Sequence, residues 1–159
     1  MSYQAVILTV SDSCAAGTRT DTSGPAIRGM LENAGFAVQA MQTVPDEEGQ
    51  ISAAIVHACD ILQADLVVTT GGTGLSPRDV TPEATLAVLD REIRAIPVAM
   101  WVEGLKSTPR AMLSRAVAGI RGHTLVLNVP GSEKAARENL RAVVMTLDHA
   151  LRMLAGGGH

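Results

Sequence analysis

Three short runs constrain this chain most: Ala5-Val6-Ile7-Leu8-Thr9-Val10, Leu66-Val67-Val68-Thr69-Thr70 and Thr124-Leu125-Val126-Leu127-Asn128-Val129. A strand with one wet face alternates apolar with polar residues. These runs are apolar on both faces, the mark of a parallel strand covered by helices on each side. Amphipathic stretches separate them, so the expected fold class is α/β. It is read as a single three-layer α/β/α domain with a mostly parallel central sheet, over residues 1–155, with a flexible tail at 156–159.

The connecting segments carry their own punctuation. Ser11 to Gly24 reads as a polar loop. Ser23-Gly24-Pro25 starts a helix, with proline where a missing N–H is harmless, and Gly35 ends it. Ala37 to Val44 is a weaker strand, and Pro45-Asp46-Glu47-Glu48 then opens a helix with an apolar stripe at Ile51, Ile55, Ala58 and Leu62. Thr81-Pro82-Glu83 opens another, residues 97–106 read as helical, and Thr108-Pro109 restarts the chain. Gly119 and Gly122 read as breaks before the strand at 124–129. Ala136, Leu140, Val143, Val144, Leu147, Leu151 and Leu154 give the last helix one long apolar face.

Composition excludes several functions. The chain has 159 residues, 47% of them hydrophobic and 18% charged, which suits one globular core and not a disordered chain. A net charge of -3, two lysines (Lys106 and Lys134) and three aromatics (Tyr3, Phe36 and Trp101) argue against a nucleic-acid partner. No apolar run approaches the ~20 residues of a membrane span, and no secretory leader is visible at the N-terminus. Cys14 and Cys59 lack zinc-ligand spacing, so a cytoplasmic, reducing setting is expected. His57, His123, His149 and His159 are scattered and read as structural or surface residues. Met100, Met112, Met145 and Met153 read as core filler.

Open parallel sheets bind ligands at the carboxyl ends of their strands. Four unusual loops follow strands here: Ser11-Asp12-Ser13, Pro45-Asp46-Glu47, Thr70-Gly71-Gly72-Thr73-Gly74 and Asn128-Val129-Pro130-Gly131-Ser132. They should converge on one edge of the sheet. Glycines 71, 72 and 74 let backbone N–H groups approach an anion, although neither a Walker loop nor a dinucleotide fingerprint is present. Asp46 and Asp79, on different loops, suit Mg²⁺ beside substrate phosphates; equally, Asp46 reads as a helix N-cap and Asp79 as a cap or a partner for Arg78. No nucleophile elbow or Ser/His/Asp order appears, which suits group transfer in which the substrate supplies the nucleophile.

Taken in order, Thr9-Val10-Ser11-Asp12-Ser13, Ser23-Gly24-Pro25, Val44-Pro45-Asp46-Glu47, Gly71-Gly72-Thr73-Gly74, Arg78-Asp79-Val80-Thr81-Pro82-Glu83-Ala84-Thr85, Thr108-Pro109, Ala111-Met112-Leu113-Ser114-Arg115 and Asn128-Val129-Pro130-Gly131 form a long pattern. It resembles the molybdopterin adenylyltransferases of molybdenum-cofactor biosynthesis, over about residues 5 to 154. The resemblance implies transfer of AMP from Mg-ATP to the terminal phosphate of molybdopterin, giving adenylyl-molybdopterin and pyrophosphate. It implies Asp46 and Asp79 as catalytic residues holding Mg²⁺. It places Thr70, Gly71, Gly72, Thr73, Gly74, Asn128, Pro130, Gly131 and Ser132 on the nucleotide and phosphate side, Ser107 and Ser114 on the pterin side, and Ser11 and Asp12 in the first site loop. Arg78, Lys106 and Arg115 are phosphate partners on charge grounds. A homotrimer, with a contact around Trp101-Val102, and product transfer to a molybdate-inserting protein are also implied. The competing expectation is a non-catalytic molybdopterin carrier of the paralogous branch. A flavin or nicotinamide redox domain fits poorly, since fingerprint and stacking aromatics are lacking.

Overall fold

The computed structural model describes residues 2–157. Strands β1 (Gln4–Val10), β2 (Ala37–Val44), β3 (Leu66–Thr70), β4 (Arg91–Glu92), β5 (Ala118–Arg121) and β6 (Thr124–Val129) form one sheet in the order β2-β1-β3-β6-β5-β4. β2, β1, β3 and β6 are parallel; β5 pairs antiparallel with both β6 and β4.

Both faces of β1, β3 and β6 are covered, as their apolar character predicts, whereas β2 at the sheet edge stays largely exposed. Ala5, Ile7, Leu66, Val68, Leu125 and Leu127 point to one side. They pack on α2 (Ser23–Asn33), α5 (Ala95–Leu105) and α6 (Glu133–Leu154) through Ile27, Leu31, Met100, Leu140 and Leu147. Val6, Leu8, Val67 and Val126 point to the other side, onto α3 (Glu48–Val56), its π-helical extension His57–Ile61 and α4 (Thr81–Leu86). The period-2 direction of strand side chains makes this division.

Several segments differ from expectation. The polar stretch after β1 contains a single helical turn, α1 (Asp12–Ala15), capped by Ser11 Oγ accepting from Cys14 N–H at 3.2 Å. β4 and β5 are strands where none was expected. Gly119 lies inside β5, because a Cβ there would collide with the Arg91 carbonyl and the Leu89 side chain. Of the four methionines read as core, only Met100 is buried; Met112, Met145 and Met153 are exposed. His57, His123 and His149 are exposed. Of the tail expected at 156–159, Gly156 N–H and Gly157 N–H bond back to Met153 O and Arg152 O, closing α6, while Gly158 and His159 lie outside the described residues.

The chain runs from β1 outward to β2, then returns across β1 to β3. β1 and β3 are therefore neighbours whose following connections leave on opposite faces, the switch point where an open α/β sheet leaves a crevice.

Candidate functional site

A cavity of about 640 Å³ opens at this point, within the usual range for small-molecule sites. All four loops singled out above reach it. The register explains why: Thr9 pairs with Thr70 and Thr70 with Val129, so β1, β3 and β6 end level. Ser11 N–H donates to Val44 O at 2.9 Å, and Gly71 N–H donates to Val129 O at 3.1 Å, which extends the ladder into the loops.

The glycine loop forms the floor. Gly71 sits at φ +101°, and a Cβ there would collide with the Val10 carbonyl, so the loop lies directly against the end of β1. Thr81 holds it from beneath, with Oγ1 donating to Gly71 O at 2.9 Å and N–H donating to Gly72 O at 3.1 Å. Thr70 is buried. Its hydroxyl donates to Pro130 O at 2.7 Å, which leaves Ser23 Oγ, 3.0 Å away, as donor to Thr70. That pair joins the glycine loop to the Pro130-Gly131-Ser132 turn and to α2. Ser132 caps α6 by accepting from Ala135 N–H at 3.3 Å, and thereby brings the start of a 22-residue helix to the cavity wall.

Asp46 and Asp79 overhang this floor. Asp46 Oδ1 lies 3.1 Å from where a Gly72 Cβ would be, and Asp79 Oδ2 lies 2.9 Å from the corresponding point on Gly74. Each carboxylate is aimed by a backbone amide. Asp46 Oδ2 accepts from Asp12 N–H at 2.9 Å, and Asp79 Oδ2 accepts from Ser76 N–H at 3.0 Å. Burial pushes the Asp46 carboxyl above its ordinary range, and the charges of Asp12 and Asp79 add to the shift. One oxygen of each, Asp46 Oδ1 and Asp79 Oδ1, has no protein donor among the described residues.

Asp12 and Arg78 stand behind the site and not in its wall. Arg78 binds Asp12 through two parallel bonds of 3.0 and 2.9 Å and reaches Glu47 at 3.0 Å. Asp46 N–H donates to Asp12 Oδ1 at 2.9 Å. The Arg78 bonds, with that amide, hold the Asp12 carboxyl below its ordinary range. This cluster is a latch that orients Asp46. Arg115 is likewise engaged: it donates to Gly74 O at 2.8 Å and Asp79 O at 2.7 Å, and pairs with Glu83. Lys106 pairs with Glu103 at 2.8 Å. None of these three cations lines the cavity; in this structure each is paired with a carboxylate of the chain.

Asn128 is not in the cavity lining. Its side chain lies on the α3/α4 face of the sheet, fully buried, donating to Thr69 Oγ1 at 2.8 Å and Thr85 Oγ1 at 3.1 Å and accepting from Val117 N–H at 3.1 Å. It is a strut beneath the site, because strand alternation turns Asn128 away from the side that Val129 faces. Ser114 lines the cavity, whereas Ser107 stands behind the wall and donates to Glu138 Oε1 at 2.9 Å.

Several wall residues lie outside the motifs read from the sequence. Arg19 and Arg110 line the cavity with no carboxylate partner among the described residues. Asp21 lines it too; it accepts from Thr9 Oγ1 at 2.7 Å and from Gly24 N–H at 3.0 Å, which ties the α2 entrance to β1. Glu138 and Asn139 come from the second turn of α6. The polar segment 18–23 was the only sequence signal for the first group, and nothing marked Arg110.

A doubly wound sheet with a glycine-loop floor, a helix start and two overhanging carboxylates at its switch point defines an α/β protein with a small-molecule crevice at the carboxyl edge of its sheet. The chain belongs to the family described as probable molybdopterin binding domain, which it matches over residues 6–149. It is 40% identical over 149 residues to the molybdenum cofactor synthesis protein cinnamon of Drosophila melanogaster, covering 93% of this chain and 25% of that protein. Other long relatives are matched over less than half of their length. It is 38% identical over 154 residues to the molybdopterin adenylyltransferase of Helicobacter pylori strain J99, covering 94% of this chain and 86% of the relative. The crystal structure of the molybdopterin biosynthesis enzyme MoaB of Thermus thermophilus superposes with a TM-score of 0.92 at 49% identity, over 97% of each chain.

Proposed function

We propose that this chain catalyses adenylyl transfer from ATP to molybdopterin. A terminal phosphate oxygen of molybdopterin attacks the α-phosphorus of ATP, the bond to the β-phosphate breaks, and pyrophosphate leaves. The observation that carries the reading is the pair Asp46 and Asp79 overhanging the glycine-loop floor of the cavity. A phosphate monoester is largely ionised at neutral pH, with a second pKa of about 6, so no side-chain base is needed. The demand is instead to bring two polyanions together.

The chain's residues meet that demand in three ways. The glycine loop and the start of α6 offer backbone N–H groups to phosphate oxygens. Arg19 and Arg110 supply the uncommitted positive charge at the wall. Asp46 and Asp79 fit Mg²⁺: the open atoms are carboxylate oxygens, the donors a hard cation prefers, and two of them leave positions for water and substrate phosphate. Among the described residues no group of three or more His, Cys, Asp or Glu forms a closed metal cage. When bound there, Mg²⁺ would neutralise charge on the phosphates. The Asp12–Arg78 latch and the Ser76 amide keep both carboxylates aimed before substrate arrives.

The same proposal includes a homotrimer. Val98, Val102 and Leu105 recur along one face of α5 and are exposed beside Met112 and Leu113, an apolar patch that suits contact between copies; Trp101 is largely tucked inward. Free Cys14 and Cys59 suit a cytoplasmic setting. No helix among the described residues is long and apolar enough to cross a membrane. The adenylylated product carries an activated phosphoanhydride, suited to a downstream molybdate-inserting protein.

Pyrophosphate release from Mg-ATP tests the reading. Release is expected only with molybdopterin present, and Asp79→Asn should lower the rate by about 100-fold or more while molybdopterin still binds. Molybdopterin binding with no release by the wild type would make the protein a carrier.

A further inference from the structure

Four carboxylates line the cavity: Asp21, Asp46, Asp79 and Glu138. Asp46 and Asp79 belong to the phosphate floor. Asp21 has both oxygens engaged, by Thr9 Oγ1 and Gly24 N–H, and serves the α2 entrance. Glu138 is different. Its side chain is only 16% exposed, and Oε1 accepts from Ser107 Oγ at 2.9 Å with the Lys134 ammonium at 3.9 Å. Oε2 has no hydrogen-bond partner among the described residues. The Ser107 bond fixes one oxygen and leaves the other open to a ligand donor in the cavity.

The surroundings of Glu138 suit a flat ring. It projects from the second turn of the 22-residue α6, a rigid platform. Beside it the wall is made of Gly104, Ala111 and Asn139; a Cβ on Gly104 would lie 2.9 Å from Ala111 Cβ and 3.7 Å from Asn139 Nδ2. The wall is thus closely packed, small and mostly apolar, with one carboxylate at its edge.

A carboxylate presents two acceptors side by side and is complementary to two parallel donors. The 2-amino-4-oxo-pyrimidine edge of a pterin presents that pair, N3–H and the 2-amino group. Adenine presents one donor, N6, next to the N1 lone pair, which a carboxylate repels. We propose that Glu138 reads the N3–H and 2-amino donors of the pterin ring, and that Ser107 is the positioning residue that holds Glu138 for the task. The inference rests on the adenylyltransferase reading for the identity of its ligand, and it separates the two substrates: pterin at the α6 wall, nucleotide elsewhere in the cavity.

The test uses 6-hydroxymethylpterin phosphate and its lumazine counterpart, in which a carbonyl replaces the 2-amino group, each followed by its own fluorescence on titration with the full chain. The wild type should favour the pterin by about 10- to 100-fold, the span of one charge-assisted hydrogen bond. Glu138→Gln should bring the two ligands within about threefold of each other, since the amide offers one acceptor in place of two. Ser107→Ala should reduce the preference and Ser107→Thr should restore it, while thermal melting and ATP affinity stay unchanged in all three variants. Equal binding of the two ligands by the wild type, no measurable binding of the pterin probe, a preference that survives Glu138→Gln, or equal weakening of ATP would each overturn the proposal. The adenylyltransferase reading fails separately. A Glu138-dependent pterin preference without pyrophosphate release would leave Glu138 in place and remove the transfer reaction. Pyrophosphate release with an unchanged preference in Glu138→Gln would do the reverse.

Discussion

Replacing Asn128 with alanine should damage stability far more than substrate binding. The amide makes three bonds that tie β6 to β3, α4 and the start of β5, at 2.8 Å to Thr69, 3.1 Å to Thr85 and 3.1 Å from Val117 N–H. The two hydroxyl bonds are worth about 0.5–1.5 kcal/mol each; Thr85 keeps its own bond to Thr81 O, whereas the buried Thr69 hydroxyl keeps no other partner among the described residues and falls at the upper end. The orphaned Val117 amide adds about 1 kcal/mol, the low end for an unpaired donor, because it is only partly buried. The loss therefore comes to about 3 kcal/mol, which for a chain of this size lowers Tm by about 6–12 °C. Far-UV circular dichroism melting at one fixed protomer concentration measures it, beside KM for ATP and for molybdopterin at about 20 °C, where the variant is still folded. A Tm within about 2 °C of wild type, with KM for either substrate raised tenfold, would refute the reasoning and return Asn128 to the ligand-binding surface.

Arg19→Ala and Arg110→Ala should each raise KM for ATP or molybdopterin by roughly tenfold at low salt, with the penalty shrinking as ionic strength rises; steady-state kinetics across a salt series checks this. For Asp46, a folded-state pKa raised above 3.8 means that the metal-free protein is penalised by the ionised carboxylate above that raised value and not below 3.8. Asp46→Asn should therefore melt higher than wild type in chelator at about pH 7.5, the difference vanishing as pH falls toward 3.8. Burial pushes the Cys59 thiol up to about 11, while Cys14 lines the cavity. A chromogenic disulfide reagent should thus titrate one thiol in the native protein and two after denaturation, and ATP should slow the reaction of Cys14.

Much of this architecture was legible residue by residue. β2 and β3 have the boundaries that the apolar runs at 37–44 and 66–70 indicate, and β6 that of the run at 124–129. The convergence of four loops followed from parallel strands alone, and with it the meeting of Asp46 and Asp79. The antiparallel edge was not legible. β4 is two exposed charged residues, Arg91 and Glu92, and β5 carries Gly119, so neither shows a side-chain pattern; the reversal at Gly122-His123 lays β5 on β6, and β4 joins β5 across the intervening α5. Asn128 marked the right loop, but its partners Thr69, Thr85 and Val117 come from three other segments.

The charges show where local pattern stops being informative. Arg78, Arg115, Arg19 and Arg110 are the same residue type in polar stretches, and nothing nearby in the chain separates them. Asp12, which neutralises Arg78, is 66 residues away, and Glu83, which engages Arg115, is 32 away. Arg19 and Arg110 face the cavity with no such partner among the described residues. Hydrophobic periodicity is a property of neighbouring residues, so the sequence by itself determined the parallel strands, the two apolar faces of their sheet and the edge that carries the polar loops. Coulombic and hydrogen-bonding energies depend on distances across the fold, so only the tertiary structure decided which cations are paired within the protein and which stay unpaired at the cavity wall.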